Sequence, residues 1–390
     1  MSKKEKVKKT KEQKLKSLRT FLIVVLSIVL VWTAFGVFPV KKVLGDTVNP
    51  FIATSGDYPI IAAHRGGRNL MPENTVSAFN YGIENFGVKM LETDLRMTKD
   101  NELVLMHDAT VERTSDYSAV NLKYYKFWTS SKVSDLTLDD LEHLNFAYKN
   151  GSVYTDKYGI TPGLTRELDD ALDGASYDER EEIINSDTYK MYSVVTIEEC
   201  FKEYASYTYI NKDNESVTDI TLLFSVEIKD KGDVGKKAVD ILLEEMIEYN
   251  IIGRVVVGTF NDEIAEYINE INKERKAKGE PVILCGASTS QAVAFVGTQI
   301  FGVNVFYKAN FCCLQVPIYL GDILSNEKLE NMNIAFKGVY RRAQKLGISV
   351  QCWTINNEDD MKRLINMKVD VIMTDDPDIL YNVINELKSK

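Results

Sequence analysis

Two of the chain's three histidines, His64 and His107, stand among residues suited to proton transfer beside a bound cation. The sequence there reads AHRGGRNLMPENT (63–75), LETDLRMTKD (91–100) and ELVLMHD (102–108). Each histidine follows a short apolar run, Pro59–Ala63 or Leu103–Met106, and alternating carboxylates lie between them. Imidazoles exchange protons near neutrality, and carboxylates offer hard oxygen ligands.

Spacing adds a mechanism. Glu92 and Asp94 are two apart in a predicted strand and project on the same side, as do Glu227 and Lys229. Glu92, Asp94 and Glu227, from two neighbouring strands, make a site of charge about −3 suited to Ca²⁺ or Mg²⁺. Arg65 can grip phosphate oxygens in a bidentate way, and the cation would offset transition-state charge. One imidazole would take a proton from the attacking oxygen while the other gives one to the leaving alkoxide. Together with Lys229 this set meets the demands of phosphodiester cleavage. His143 lies in SDLTLDDLEHLNF, an amphipathic helical pattern without such neighbours, and is expected to be a solvated or helix-face residue.

Eight strand-like runs must position these groups: Ile60–Ala63, Val88–Leu95, Leu222–Ile228, Arg254–Phe260, Val282–Ala287, Val303–Ala309, Ile348–Ile355 and Val369–Thr374. Most are followed by helical stretches, which predicts an α/β fold, a TIM (β/α)8 barrel over residues 58–390. A further run, Leu103–Met106, should pair as a hairpin on the second strand. Such barrels gather functional groups at the carboxyl ends of their strands, where His64, Arg65, Glu92, Asp94, His107, Glu227, Lys229 and Trp353 all fall. The first helix should be capped by Asn74 or Thr75 and end at Gly87. Residues 145–193 are rich in Tyr, Asp, Glu and Gly and read as a loop insertion, a lid or specificity element or an ordinary excursion. The five cysteines form no CxxC, so neither a zinc site nor a disulfide scaffold is indicated.

Charge is uneven. Residues 1–19 carry nine Lys/Arg and two Glu, and Lys41 and Lys42 raise the N-terminal total to +9. Subtracting this from the whole-chain −10 leaves −19 for residues 43–390, a body that disfavours nucleic acid as a partner. Thr20–Val40 is 21 uncharged residues, near the ~20 that span a bilayer as a helix. The basic flank then puts 1–19 in the cytoplasm as a tail, makes 20–40 a single-pass transmembrane anchor and 41–57 a tether, and leaves the barrel outside the cell membrane. A cleaved signal peptide would export the body equally.

The chain also resembles the glycerophosphodiester phosphodiesterases over about residues 58–382. HRGG (64–67), PENT (72–75), ETD (92–94), HD (107–108), RT (113–114), EIK (227–229), WTIN (353–356) and TDDP (374–377) appear in family order. The resemblance implies a TIM barrel in which His64 and His107 are the acid–base pair. Glu92, Asp94 and Glu227 would hold the divalent metal, Arg65 and Lys229 would contact phosphate, and Trp353 would line the pocket. It implies hydrolysis of a small-molecule glycerophosphodiester to sn-glycerol 3-phosphate and an alcohol. The family usually carries glycine near Lys368 and Val371, and this chain does not. A lysophospholipase D-like activity, with the insertion's tyrosines as a lipid-facing lip, is the second reading. A catalytically silent membrane-tethered barrel is the third, and it would normally show a missing histidine or metal carboxylate.

Overall fold

The structure is a computed structural model that describes residues 42–53, 58–118, 120, 128–147, 171–172, 174–210, 216–217, 221–300, 307–319 and 337–390. The expected membrane span at 20–40 and the basic tail lie outside the described residues. Among those described, no helix is long and apolar enough to cross a membrane.

Eight strand–helix units follow one another along the chain. Strand β1 (Ile60–His64) leads to α1 (Val76–Phe86), and β2 (Met90–Met97) leads through β3 (Leu103–Leu105) to α2 (Ile197–Tyr204). Next come β4 (Leu223–Ile228) and α3 (Gly232–Glu248), β5 (Val255–Gly258) and α4 (Asp262–Lys278), and β6 (Leu284–Cys285) and α5 (Thr289–Ile300). The last units are β7 (Cys313–Val316) with α6 (Lys337–Lys345), β8 (Ser349–Cys352) with α7 (Glu358–Met367), and β9 (Val371–Thr374) with α8 (Pro377–Lys388). The parallel order is β6–β5–β4–β2–β1–β9–β8–β7. A parallel bridge from Gly286 to Cys313 joins the two ends, giving a nearly closed barrel of the TIM type. As expected, β3 pairs antiparallel with the outer half of β2, Leu95 opposite Leu105.

One strand departs from the sequence expectation. Residues 303–306 of the run Val303–Ala309 lie outside the described residues, and Tyr307–Ala309 are irregular. The sixth barrel strand is instead β7, Cys313–Val316. Cys313 packs into the barrel interior with Ala62, Met90, Leu223 and Val371, while Leu314 points to the helices. Gln315 interrupts the apolar run, so the segment lacks the usual pattern of a buried strand.

Local signals hold at α1. Thr75 accepts from the Ala78 backbone N–H as N-cap, and Gly87 closes the helix at φ +59°. Asn74 is not the cap; its Oδ1 accepts from Thr93 Oγ1 at 2.9 Å, tying the loop to β2. At the end of α7, Lys368 takes the left-handed conformation, φ +62°, that glycine adopts more cheaply.

Residues 42–53 do more than tether. Phe51 is fully buried beneath the barrel interior, Asn49 Nδ2 donates to the carbonyls of Cys312 and Gly347, and Ala53 N donates to Asp370. This segment therefore seals the amino-terminal end of the barrel. At the other side, Val104, Tyr117, Trp128, Leu141 and Phe146 form a separate small core under the excursion between β3 and α2. Fully buried Arg180 pins it, 3.1 Å from Asp116 Oδ2 and donating to the His143 carbonyl. His143 itself lies 3.1 Å from Glu181, within this excursion.

Candidate active site

The turn that ends β1 shapes the site. Arg65, Gly66 and Gly67 take φ of +51°, +86° and +94°, reversing the chain so that the Arg65 N–H donates to Glu92 Oε2 at 2.9 Å. Gly66 is required there: a Cβ would stand 2.6 Å from Ala78 Cβ on α1. The non-glycine Arg65 in this conformation stores backbone strain at the edge of the cavity described below.

Strand register sets the carboxylates. His64, Glu92 and Ser225 lie side by side on β1, β2 and β4, and Asp94 lies opposite Glu227. Lys229 Nζ bridges those last two, 2.9 Å from Asp94 Oδ1 and 2.9 Å from Glu227 Oε1. Arg65 Nε lies 3.2 Å from Asp94 Oδ2, close enough to pair as charges although not aligned as a hydrogen bond. All eight residues anticipated from sequence (His64, Arg65, Glu92, Asp94, His107, Glu227, Lys229 and Trp353) border one cavity of about 280 Å³.

Burial and neighbouring charge push the two imidazoles in opposite directions. Burial alone lowers the pKa of His64, but the Glu92 carboxylate and the hydrogen bond with Asp375 outweigh it and leave it raised. For His107, burial dominates and the pKa falls, despite Asp94 and Asp108. Opposed environments of this kind separate a proton donor from a proton acceptor. Among the carboxylates, burial lifts Glu92 and Glu227, and Asp94 adds to both. Asp94 is lowered, because Lys229 and Arg65 overcome its burial.

The three carboxylates suit a hard divalent cation by donor type, and buried Asp94 Oδ2 has no aligned hydrogen-bond partner. Among the described residues, however, no three His, Cys, Asp or Glu side chains converge as a ready-made metal cluster. Lys229 occupies the space between Asp94 and Glu227, and Glu92 is turned to the Arg65 backbone.

Several supporting residues carried no assigned role in the sequence reading. His64 Nδ1 lies 2.5 Å from Asp375 Oδ1, which also receives Arg68 Nε at 2.9 Å, while Asn356 Nδ2 donates to Asp375 Oδ2 at 2.8 Å. His107 Nδ1 lies 2.7 Å from Asp108, which receives Arg113 Nε at 2.6 Å. Arg113 continues to Glu73 through two contacts of 2.8 Å, and Glu73 reaches Arg65 Nη1 at 3.3 Å. The loop bearing His107 is clamped by Arg96, which donates twice to the His107 carbonyl and pairs with Asp230 at 3.1 Å. Phe260, 59% exposed, packs edge-to-face on Trp353 at 5.9 Å and forms an aromatic wall at the mouth. PENT, HD, RT, WTIN and TDDP contain five of these residues (Glu73, Asp108, Arg113, Asn356 and Asp375), so the motifs were the available signal.

The profile described as the glycerophosphoryl diester phosphodiesterase family matches residues 64–379. A glycerophosphodiester phosphodiesterase of Caldanaerobacter subterraneus subsp. tengcongensis is 23% identical over 327 residues, 84% of this chain and 98% of that protein. Among solved structures, a putative glycerophosphoryl diester phosphodiesterase of Silicibacter pomeroyi superposes with a TM-score of 0.56 at 16% identity, covering 86% of this chain and 96% of that one. A phosphodiesterase of Oleispira antarctica, solved in complex with the product sn-glycerol-3-phosphate, gives a TM-score of 0.50 at 15% identity, covering 84% and 97%.

Glu73 holds both Arg113 and Arg65, so Glu73→Gln should loosen both sides of the site. Turnover of a phosphodiester substrate is expected to fall roughly 10²-fold, as for other displacements of catalytic groups. Steady-state kinetics with an unchanged kcat would show that the arginines keep their places without it.

Proposed function

The chain belongs to the glycerophosphoryl diester phosphodiesterase family and is a phosphoric diester hydrolase, and from that premise we propose that it yields sn-glycerol 3-phosphate and an alcohol by metal-assisted, two-histidine acid–base catalysis. The observation that carries this reading is the single cavity bordered by His64, His107, Arg65, Lys229 and three carboxylates. One imidazole accepts the proton of the attacking oxygen as its bond to phosphorus forms. The other delivers a proton to the departing alkoxide as the separate bond between phosphorus and that leaving oxygen breaks. Arg65 and Lys229 hold phosphate oxygens, and Trp353 with Phe260 flanks the alcohol.

Glu92, Asp94 and Glu227 would hold the divalent cation, Ca²⁺ or Mg²⁺. Bound there, it would supply Lewis-acid neutralisation of phosphoryl charge. Lys229 competes for the same Asp94 and Glu227 oxygens, so its ammonium must share or yield them. That exchange would free it for the phosphate.

For location, the basic tail and the apolar span at 20–40 support a single-pass membrane protein with its barrel outside. Substrates would then be diesters released from lipids. The −19 body would repel polyanionic polymers at long range, leaving only Arg65, Lys229 and the cation to attract them, which favours small diesters. For the lysophospholipase D reading, the insertion's described tyrosines divide: Tyr189 and Tyr192 are buried, Tyr177 is 50% exposed, and 148–170 lies outside the described residues, so glycerophosphodiester hydrolysis stays the first reading.

His64→Ala or His107→Ala is expected to lower kcat on glycerophosphocholine by at least ~10²-fold, with His143→Ala near neutral. A crippled His143→Ala beside a healthy His107→Ala would reverse the assignment. Exhaustive EDTA treatment should abolish turnover and Ca²⁺ or Mg²⁺ should restore it, with Glu92→Gln and Asp94→Asn needing more metal. Full activity in chelator would remove the cation from the mechanism. Protease added to intact cells or spheroplasts should digest the barrel and spare the N-terminal tail. A barrel protected until permeabilisation would overturn the topology.

A further inference from the structure

The catalytic cavity is also lined by an amide whose donors are all engaged. Gln315 on β7 borders the cavity together with Ser225, Gly258 and Ala287. Its orientation follows from the polarity of the hydrogen bonds behind it. The Phe51 carbonyl can only accept, so Ser349 Oγ, 2.6 Å away, donates its one hydrogen there. Towards Gln351, 3.4 Å away, Ser349 can then only accept, which places the Gln351 amide nitrogen on Ser349 and Gln351 Oε1 on Gln315. An oxygen requires a donor, so Gln315 presents Nε2, 3.0 Å from Gln351 Oε1 and 3.0 Å from Ser225 Oγ. Both of its N–H groups are thereby used.

The remaining atom, Gln315 Oε1, meets no donor recorded among the described residues. The chain keeps room for it. A Cβ added at Gly258 would stand 3.1 Å from this oxygen, and one at Gly286 only 2.5 Å. Neither glycine has a positive φ, so proximity to the amide, and not backbone shape, explains the missing side chains.

We propose that Gln315 determines specificity for the glycerol half of the substrate, its Oε1 accepting a hydrogen bond from a glycerol hydroxyl. This rests on the phosphodiesterase reading. In a glycerophosphodiester the phosphate oxygens only accept, and a choline group has neither O–H nor N–H to give. The glycerol hydroxyls are the donors common to every such substrate. The common half belongs against the barrel interior, and the variable alcohol belongs at the exposed mouth beside Phe260 and Trp353. Ser225 Oγ, having accepted from Gln315, keeps its own hydrogen for the oxygen of the same hydroxyl. A site with both an acceptor and a donor recognises a hydroxyl and rejects a methyl, which leaves buried polar groups unmet.

The test compares kcat/KM of wild type, Gln315→Met and Gly258→Ala on three phosphocholine diesters with their metal present. These are glycerophosphocholine and its analogues built on propane-1,2-diol and propane-1,3-diol, each lacking one hydroxyl. Wild type should favour glycerophosphocholine over at least one analogue. Gln315→Met should lower kcat/KM on glycerophosphocholine roughly 10- to 100-fold while changing that analogue little, so the preference disappears. Gly258→Ala crowds the oxygen and should shrink the preference as well. If Gln315→Met does not fold, Gly258→Ala decides on the same ratio. Equal losses on all three diesters, or a wild type indifferent to both missing hydroxyls, would overturn the proposal. A wild type inactive on every diester would instead overturn the activity, and the proposal with it.

Discussion

Parallel register places like charges side by side within the barrel, and the surrounding structure answers that constraint. Asp94 and Glu227 face each other across β2 and β4, and Glu92 lies one inward-facing position below. Carboxylates crowded away from water repel strongly and must be compensated. Compensation comes from Lys229 between the pair, Arg65 beside Asp94, and the Arg65 N–H on Glu92. The left-handed turn at 65–67 exists to bring that N–H and that guanidinium to the same place.

Neutralising the centre with arginine creates a second demand, since Arg65 must itself be held. Glu73 does so, Arg113 holds Glu73, and Asp108 ties Arg113 to His107. The site is thus a continuous run of alternating charges from His107 to Glu227. His64 is anchored separately, through Asp375, Arg68 and Asn356 from the last two barrel units and the β1 turn. Each imidazole therefore has its own carboxylate, and the two anchors share no residue.

What could be read from sequence was what is local. The alternation that puts Glu92 with Asp94, the Thr75 and Gly87 signals of α1, and the apolar runs of β1, β2, β4 and β9 each depend on neighbours a few residues away. The strand Cys313–Val316 escaped because Gln315 places an amide where an apolar residue was sought. Its glutamine is accommodated by two glycines, one ending β5 and one just past β6, a relation that no spacing rule contains. The partners His64 and Asp375 are separated by 311 positions. Only the motif strings hinted at them, and motifs name residues without saying which touch. Lys229 was anticipated as a phosphate contact, but its seat between two carboxylates depends on how two strands align.

The seal formed by Asn49 and Phe51 has a consequence for geography. The chain enters the barrel at the pole opposite the catalytic mouth, and parallel strands of about five residues at ~3.3 Å each separate the two poles by roughly 17 Å. With residues 20–40 in a bilayer, a short lead of chain would fasten the sealed pole towards the lipid and turn the opening to the surrounding fluid. A diester still embedded by its acyl chain would meet the wrong end of the molecule. Such an enzyme would act as a moored scavenger, processing what drifts past rather than what lies beneath it.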